Sequence, residues 1–138
     1  MAAECPDVLL EQIAHRVWEA TRRHGLEESC CIAATKITQR VARYFGIHGR
    51  AQPVRILVAN QAALPLITAG VPPADWPEHA WSTGSDGTRL GPDRYGGHLI
   101  FTAHRQGATH LVDPSLPQYA RPRLGLSLTP LAIRLDRR

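Results

Sequence analysis

The sequence predicts an α+β domain in which helices are segregated from a mostly antiparallel sheet. Three observations carry that prediction. Two segments before Gly46 repeat their apolar residues at three- and four-residue steps, the period of a helix. After Gly46 the apolar runs become short and rich in β-branched residues, as strands are. Later in the chain two such runs flank Arg105-Gln106-Gly107, which marks a hairpin. The 138 residues fit a single domain, 1–138, and 43% hydrophobic residues exclude a disordered or collagen-like chain.

Each element has its own signal. Pro6 to His24 forms a first helix, with Leu10, Ile13, Ala14, Val17 and Thr21 on one face and Glu11, Arg16, Arg22 and Arg23 on the other. Gly25 supplies a left-handed stop. A second helix begins around Ser29, whose hydroxyl can accept a bond from a first-turn amide. Ala33, Ala34, Ile37, Val41 and Tyr44 or Phe45 are its expected apolar stripe, and Gly46 closes it. Pro53 to Asn60 is expected as a buried strand. Gln61 to Gly97, rich in proline and glycine, reads as a long loop with a short helix around Ala62 to Ala69. His98 to His104 and Thr109 to Asp113 form the hairpin strands. Pro114 to Arg123 is a loop, and Leu126 to Leu135 is a last strand interrupted at Pro130.

Composition narrows the function classes. The net charge is +4, with Lys36 the sole lysine. The arginines are spread along the chain, grouped most tightly at Arg22-Arg23, Arg121 with Arg123, and Arg137-Arg138. No aromatics interleave with them, so a solvated basic surface is expected rather than a nucleic-acid platform. No apolar stretch is long enough for a membrane span, and MAAECPD lacks the order of a secretory signal. A soluble, cytoplasmic protein without a membrane partner is the expectation. Of the three cysteines, Cys30 and Cys31 are adjacent and pair poorly with each other, which argues against a disulfide framework. Neither Cys-x-x-Cys nor His-Glu-x-x-His occurs, and Gly84-x-x-Gly87 and Gly96-Gly97 lack the context of a phosphate loop. No metal or cofactor is expected.

The chemistry centres on Cys31. A thiol in the first turn of the second helix meets unpaired amides and the positive end of the macrodipole, which favour the thiolate. A thiolate nucleophile needs a proton shuttle, and that imidazole needs an orienting acceptor. His98 opens one hairpin strand and Asp113 ends the other, at nearly equal distances from the turn, so they are expected to face each other. Cys30 is the rival nucleophile. Asn60, at a strand end, is a candidate oxyanion donor or a strand cap. Trp76 and Trp81 in the long loop are candidates for a substrate wall or for plain packing.

The segment SCCIAATKITQRVARYFGIHGRAQPV, followed by YGGHLI and LVDPS, resembles the transglutaminase-like, papain-like cysteine superfamily. Cys31 precedes Gly46 by fifteen positions and His98 precedes Asp113 by fifteen, similar to the superfamily's steps, including those of its arylamine N-acetyltransferase branch. Ser29 stands where that group commonly has Gly. The resemblance runs from Ser29 to Pro114. It implies a papain-like (transglutaminase-core) fold with Cys31 as nucleophile, His98 as general base and acid, and Asp113 as orienter. The implied activity is amide or thioester hydrolysis, deamidation or acyl transfer on a peptide, protein or small acyl substrate. The alternative is a binding or adaptor module that keeps the fold without turnover.

Overall fold

The structure, a computed structural model, describes residues 5–26, 30–85, 89–91 and 94–136. Its elements in chain order are the helices α1 (Pro6–Arg23) and α2 (Cys31–Tyr44), the strands β1 (Arg50–Val54) and β2 (Ile56–Ala59), and the short helix α3 (Leu64–Thr68). The strands β3 (Ser82–Ser85), β4 (Arg89–Gly91), β5 (Arg94–Tyr95), β6 (His98–Arg105), β7 (Ala108–Asp113) and β8 (Leu131–Asp136) follow. Turns of 3-10 helix lie at Pro73–Asp75, Leu116–Tyr119 and Pro122–Leu124. The chain is α+β, with a four-stranded sheet in the order β1-β6-β7-β8 and antiparallel pairing through β6, β7 and β8.

The chain divides into two compact units. The first holds Met1–Val54, Leu99–Gln118 and Thr129–Arg138, and the second holds Arg55–His98 and Tyr119–Leu128. In the first, α1 buries Leu10, Ile13, Ala14, Val17 and Thr21, the face its periodicity predicts. These pack in one cluster with Ala34, Ala42, Ile47, Phe101, Ala103 and Val112. Ile100 to Ala103 are buried at consecutive positions, as befits an interior strand covered on both sides. The edge strand β8 turns Leu131, Ile133 and Leu135 outward and packs Ala132 against the core. Its Arg134 Nε donates to Asp136 Oδ1 at 2.7 Å, a charged fringe that discourages further strand pairing.

Gln106 and Gly107 both have positive φ, the backbone of a two-residue turn whose twist matches its strands. The pairing Phe101↔Val112 to Arg105↔Ala108 fixes the register. Continued by one step, it sets Asp113 opposite Ile100, two residues further along β6 than His98. Direct pairing of His98 with Asp113 needs a turn centred between Arg105 and Gln106, whereas the observed one is centred one residue later, between Gln106 and Gly107, which accounts for the two-residue offset.

Three expectations need correction. The stripe expected on α2 is its buried face only in part: Ala34 is buried and Val41 packs partly against the core, but Ile37 is 44%, Phe45 52% and Tyr44 85% exposed, and Ala33 is exposed as well. The rest of the buried face is Thr35, Thr38 and Ala42. Thr38 Oγ1 donates to the Ala34 carbonyl and Thr35 Oγ1 to the Leu99 carbonyl, so both hydroxyls are satisfied and these small side chains admit close packing. Second, Pro53 to Asn60 is not one buried strand. It breaks at Arg55 into β1 and β2, which belong to different sheets and are only partly covered. Third, the long loop contains β3, paired antiparallel with β2, and the pair β4-β5, besides α3. The Ser29 cap and the Arg137-Arg138 grouping lie outside the described residues, and Cys30 flanks the start of α2.

Candidate functional site

Cys31 is the first residue of α2 and is half-buried, whereas Cys30 before it is buried and Cys5 is exposed. None of the three is in a disulfide. The side chain of Cys31 therefore joins partial access to the position where unpaired helix amides face outward. In the same unit, Asp113 closes β7 as a buried carboxylate. The Asp113-Pro114-Ser115 sequence folds back on itself, as Asp before Pro favours. Ser115 donates from its backbone nitrogen to Asp113 Oδ1 at 3.2 Å and from Oγ at 3.4 Å, and Gln118 Nε2 donates in turn to Ser115 Oγ. These bonds hold the carboxylate in a fixed orientation.

His98, Asn60 and Trp81 belong to the second unit. His98 opens β6 and is fully buried. Its Nδ1 shares a hydrogen bond of 3.1 Å with the Tyr119 hydroxyl, and the two rings meet edge-on at 5.2 Å. With the ring proton on Nε2, the hydroxyl donates to Nδ1; with it on Nδ1, the ring donates to the hydroxyl and Nε2 is the basic nitrogen. Tyr119 was invisible to sequence reasoning. It sits in a proline-flanked turn, and nothing local ties that turn to a histidine 21 residues earlier.

Asn60 is 4% exposed and its amide is spent on structure. Nδ2 donates to the carbonyls of His79 at 2.7 Å and Leu124 at 2.9 Å, which uses both of its hydrogens. Oδ1 accepts from the backbone of Ala63 at 2.9 Å and Trp81 at 3.2 Å. Of the two roles open to it, these bonds fit the cap, since no side-chain N–H is left for an oxyanion. Trp81 is half-buried, with the Arg121 guanidinium 4.9 Å above its ring. Trp76 packs with its Nε1 donating to the Val71 carbonyl.

Cavities within the first unit lie elsewhere. A groove of about 820 Å³ between α1 and α2 is lined by Val8, Leu9 and Val17 of α1 and by Ile37, Val41 and Phe45 at α2. Among the described residues no cluster of His, Cys, Asp and Glu is suited to a metal ion, and no helix is long and apolar enough to cross a membrane. No family model, curated protein or solved structure matches the chain.

Proposed function

We propose that the protein performs thiol-dependent acyl chemistry, in the papain-like arrangement that its motif spacing resembles and in a reducing, cytoplasmic setting. Cys31 passes its thiol proton to the imidazole of His98, and its sulfur bonds to an amide or thioester carbonyl carbon. The carbon–nitrogen or carbon–sulfur bond breaks, and the imidazolium returns the proton to the departing group. The acyl-enzyme then yields its acyl group to water, in hydrolysis or deamidation, or to an amine, in transfer. Asp113 holds the imidazole and steadies its charged form. The substrate is a peptide, a protein or a small acyl compound.

The observation that carries this reading is the burial of His98 and Asp113 at strand ends. Withdrawing an ionisable side chain from water costs free energy unless it is bonded, and packing alone favours apolar residues there. Of the histidines expected to do no chemistry, His15, His24, His48, His79 and His104 are exposed, and His110, buried within β7, has its Nδ1 3.3 Å from Asp7 Oδ1 as a structural partner. The half-buried thiol at the start of α2 adds the nucleophile.

Iodoacetamide labelling at pH 7, followed by peptide mass spectrometry, tests the proposal. Cys31 is expected to alkylate about tenfold faster than exposed Cys5, and His98→Ala is expected to abolish the difference. Slow labelling that ignores His98→Ala removes the enzyme reading and leaves a binding module without turnover.

A further inference from the structure

Charge is distributed unevenly along this chain. No aspartate or glutamate occurs between Glu28 and Asp75, a stretch that carries Lys36, Arg40, Arg43, Arg50 and Arg55. Three of these cations lie on α2 at positions i, i+4 and i+7, so they share one face and repel one another. On α1, by contrast, Glu19 sits 3.9 Å from Arg16 and 3.4 Å from Arg23. Among the described residues no carboxylate pairs with Lys36, Arg40 or Arg43.

The α2 cations border a cavity of about 440 Å³, lined by Lys36, Gln39, Arg40, Arg43, His48 and Gly49. Its far wall is held in place. Gln39 Nε2 donates to the Gly49 carbonyl at 3.1 Å, and the neighbouring Ile47 is buried with its backbone nitrogen bonded to the Ala42 carbonyl at 2.9 Å. Gly49 lies so close to the Phe101 ring and the Thr102 carbonyl that a Cβ there would collide with both. His48, between two anchored residues, is therefore presented at a fixed place opposite the helix. A cavity of this size suits a small molecule, and guanidinium forks suit phosphoryl oxygens.

We infer that this cavity binds a small molecule carrying a diphosphate or a comparable pair of phosphoryl groups. From Lys36 to Arg43 the helix rises about 10 Å, so a single phosphoryl group meets neighbouring cations and two are needed to engage all three. Arg40 and Arg43 supply bidentate donors, Lys36 a point charge, and Gln39 and His48 further polar contacts. The site differs from a backbone phosphate loop in being made of side chains.

Calorimetric titration of the full chain with inorganic pyrophosphate, in a phosphate-free buffer of low ionic strength, tests the assignment. Saturable one-to-one binding is expected, weakened about tenfold or more in the double variant Arg40→Gln/Arg43→Gln. Lys36→Gln alone is expected to weaken it less, and Arg22→Gln, which removes an exposed cation from α1, to leave it within about twofold. The replaced side chains are all exposed, and an unchanged circular dichroism spectrum will verify that each variant folds. Absence of saturable binding overturns the proposal, as does equal weakening by Arg22→Gln, which would signify general attraction to a basic protein. A short single-stranded DNA that binds with a steep salt dependence while pyrophosphate does not bind overturns it too, and identifies a polyanion surface instead.

Discussion

Asn60 shows how one polar side chain organises a region with little apolar material. Its four bonds join the end of β2 to the segment before β3, to the start of the turn leading into α3, and to Leu124. Removing the amide takes a donor from two carbonyls and the acceptor from the Trp81 N–H in partly buried surroundings, while the Ala63 N–H keeps the Asn60 backbone carbonyl at 3.1 Å, and each unsatisfied group costs about 1–3 kcal/mol. Asn60→Ala is expected to destabilise the protein by about 3 kcal/mol, read from the midpoint of urea unfolding. Asn60→Asp keeps the acceptor but sets a buried carboxylate oxygen against the carbonyls of His79 and Leu124, so it is expected to destabilise at least as much as Ala. At this scale residue type and spacing singled out Cys31, His98 and Asp113, and the structure adds that His98 and Asp113 are buried and that Cys31 opens α2. Neither Ser115 nor Tyr119 was singled out: the first meets Asp113 through a local Asp-Pro turn, the second meets a histidine remote in sequence.

The elements differ in how much of them was written locally. Helix α1 carries all five of its buried residues on the periodic face, and the hairpin turn sits where Gln106-Gly107 places it. Helix α2 has two apolar faces to choose between. The larger side chains, Ile37, Val41 and Phe45, border an open groove, while Ala34, Ala42 and the hydrogen-bonded Thr35 and Thr38 fill the core. Hydrophobicity scales favour the first set. Close approach to Phe101 and the β6 backbone favours the second, because small side chains leave room for the aromatic ring. The segment after α2 is constrained in the same way. Gly49→Ala sets a Cβ against the backbone of Thr102 and the ring of Phe101, neither of which can withdraw cheaply. A loss of about 1–3 kcal/mol is expected in thermal or urea unfolding. Gly25→Ala meets no neighbouring atom and is penalised only through its positive φ, so it is expected to cost about 1 kcal/mol.

The whole chain divides its apolar burial unequally. Among the described residues, the first unit buries Leu10, Ile13, Val17, Ile47, Ile100, Phe101 and Val112, whereas the second buries Ala63 and Leu126 as its apolar members. Opening free energy follows buried apolar contact, so protection is expected to be uneven. Native-state hydrogen exchange should find the amides of β7, such as Leu111 and Val112, exchanging about a hundredfold or more slowly than those of β2, such as Leu57 and Val58. Equal protection in both strands would mean that the second unit is stabilised by something other than its own core. The division also explains the fate of Pro53 to Asn60. A run of β-branched residues specifies extended backbone, and nothing within it records that its two halves join different sheets.

By itself the sequence determined the α+β class, the first helix and its inward face, the hairpin with its turn, and the residue types able to support thiol chemistry. Those follow from interactions within a few residues, where side-chain period and turn conformation act on the backbone directly. Tertiary structure decided which face of α2 enters the core, where the strand after it breaks, and which partners hold His98 and Asn60. Such choices compare alternatives of similar local energy, and the winner is set by side chains that become neighbours only when the chain has folded.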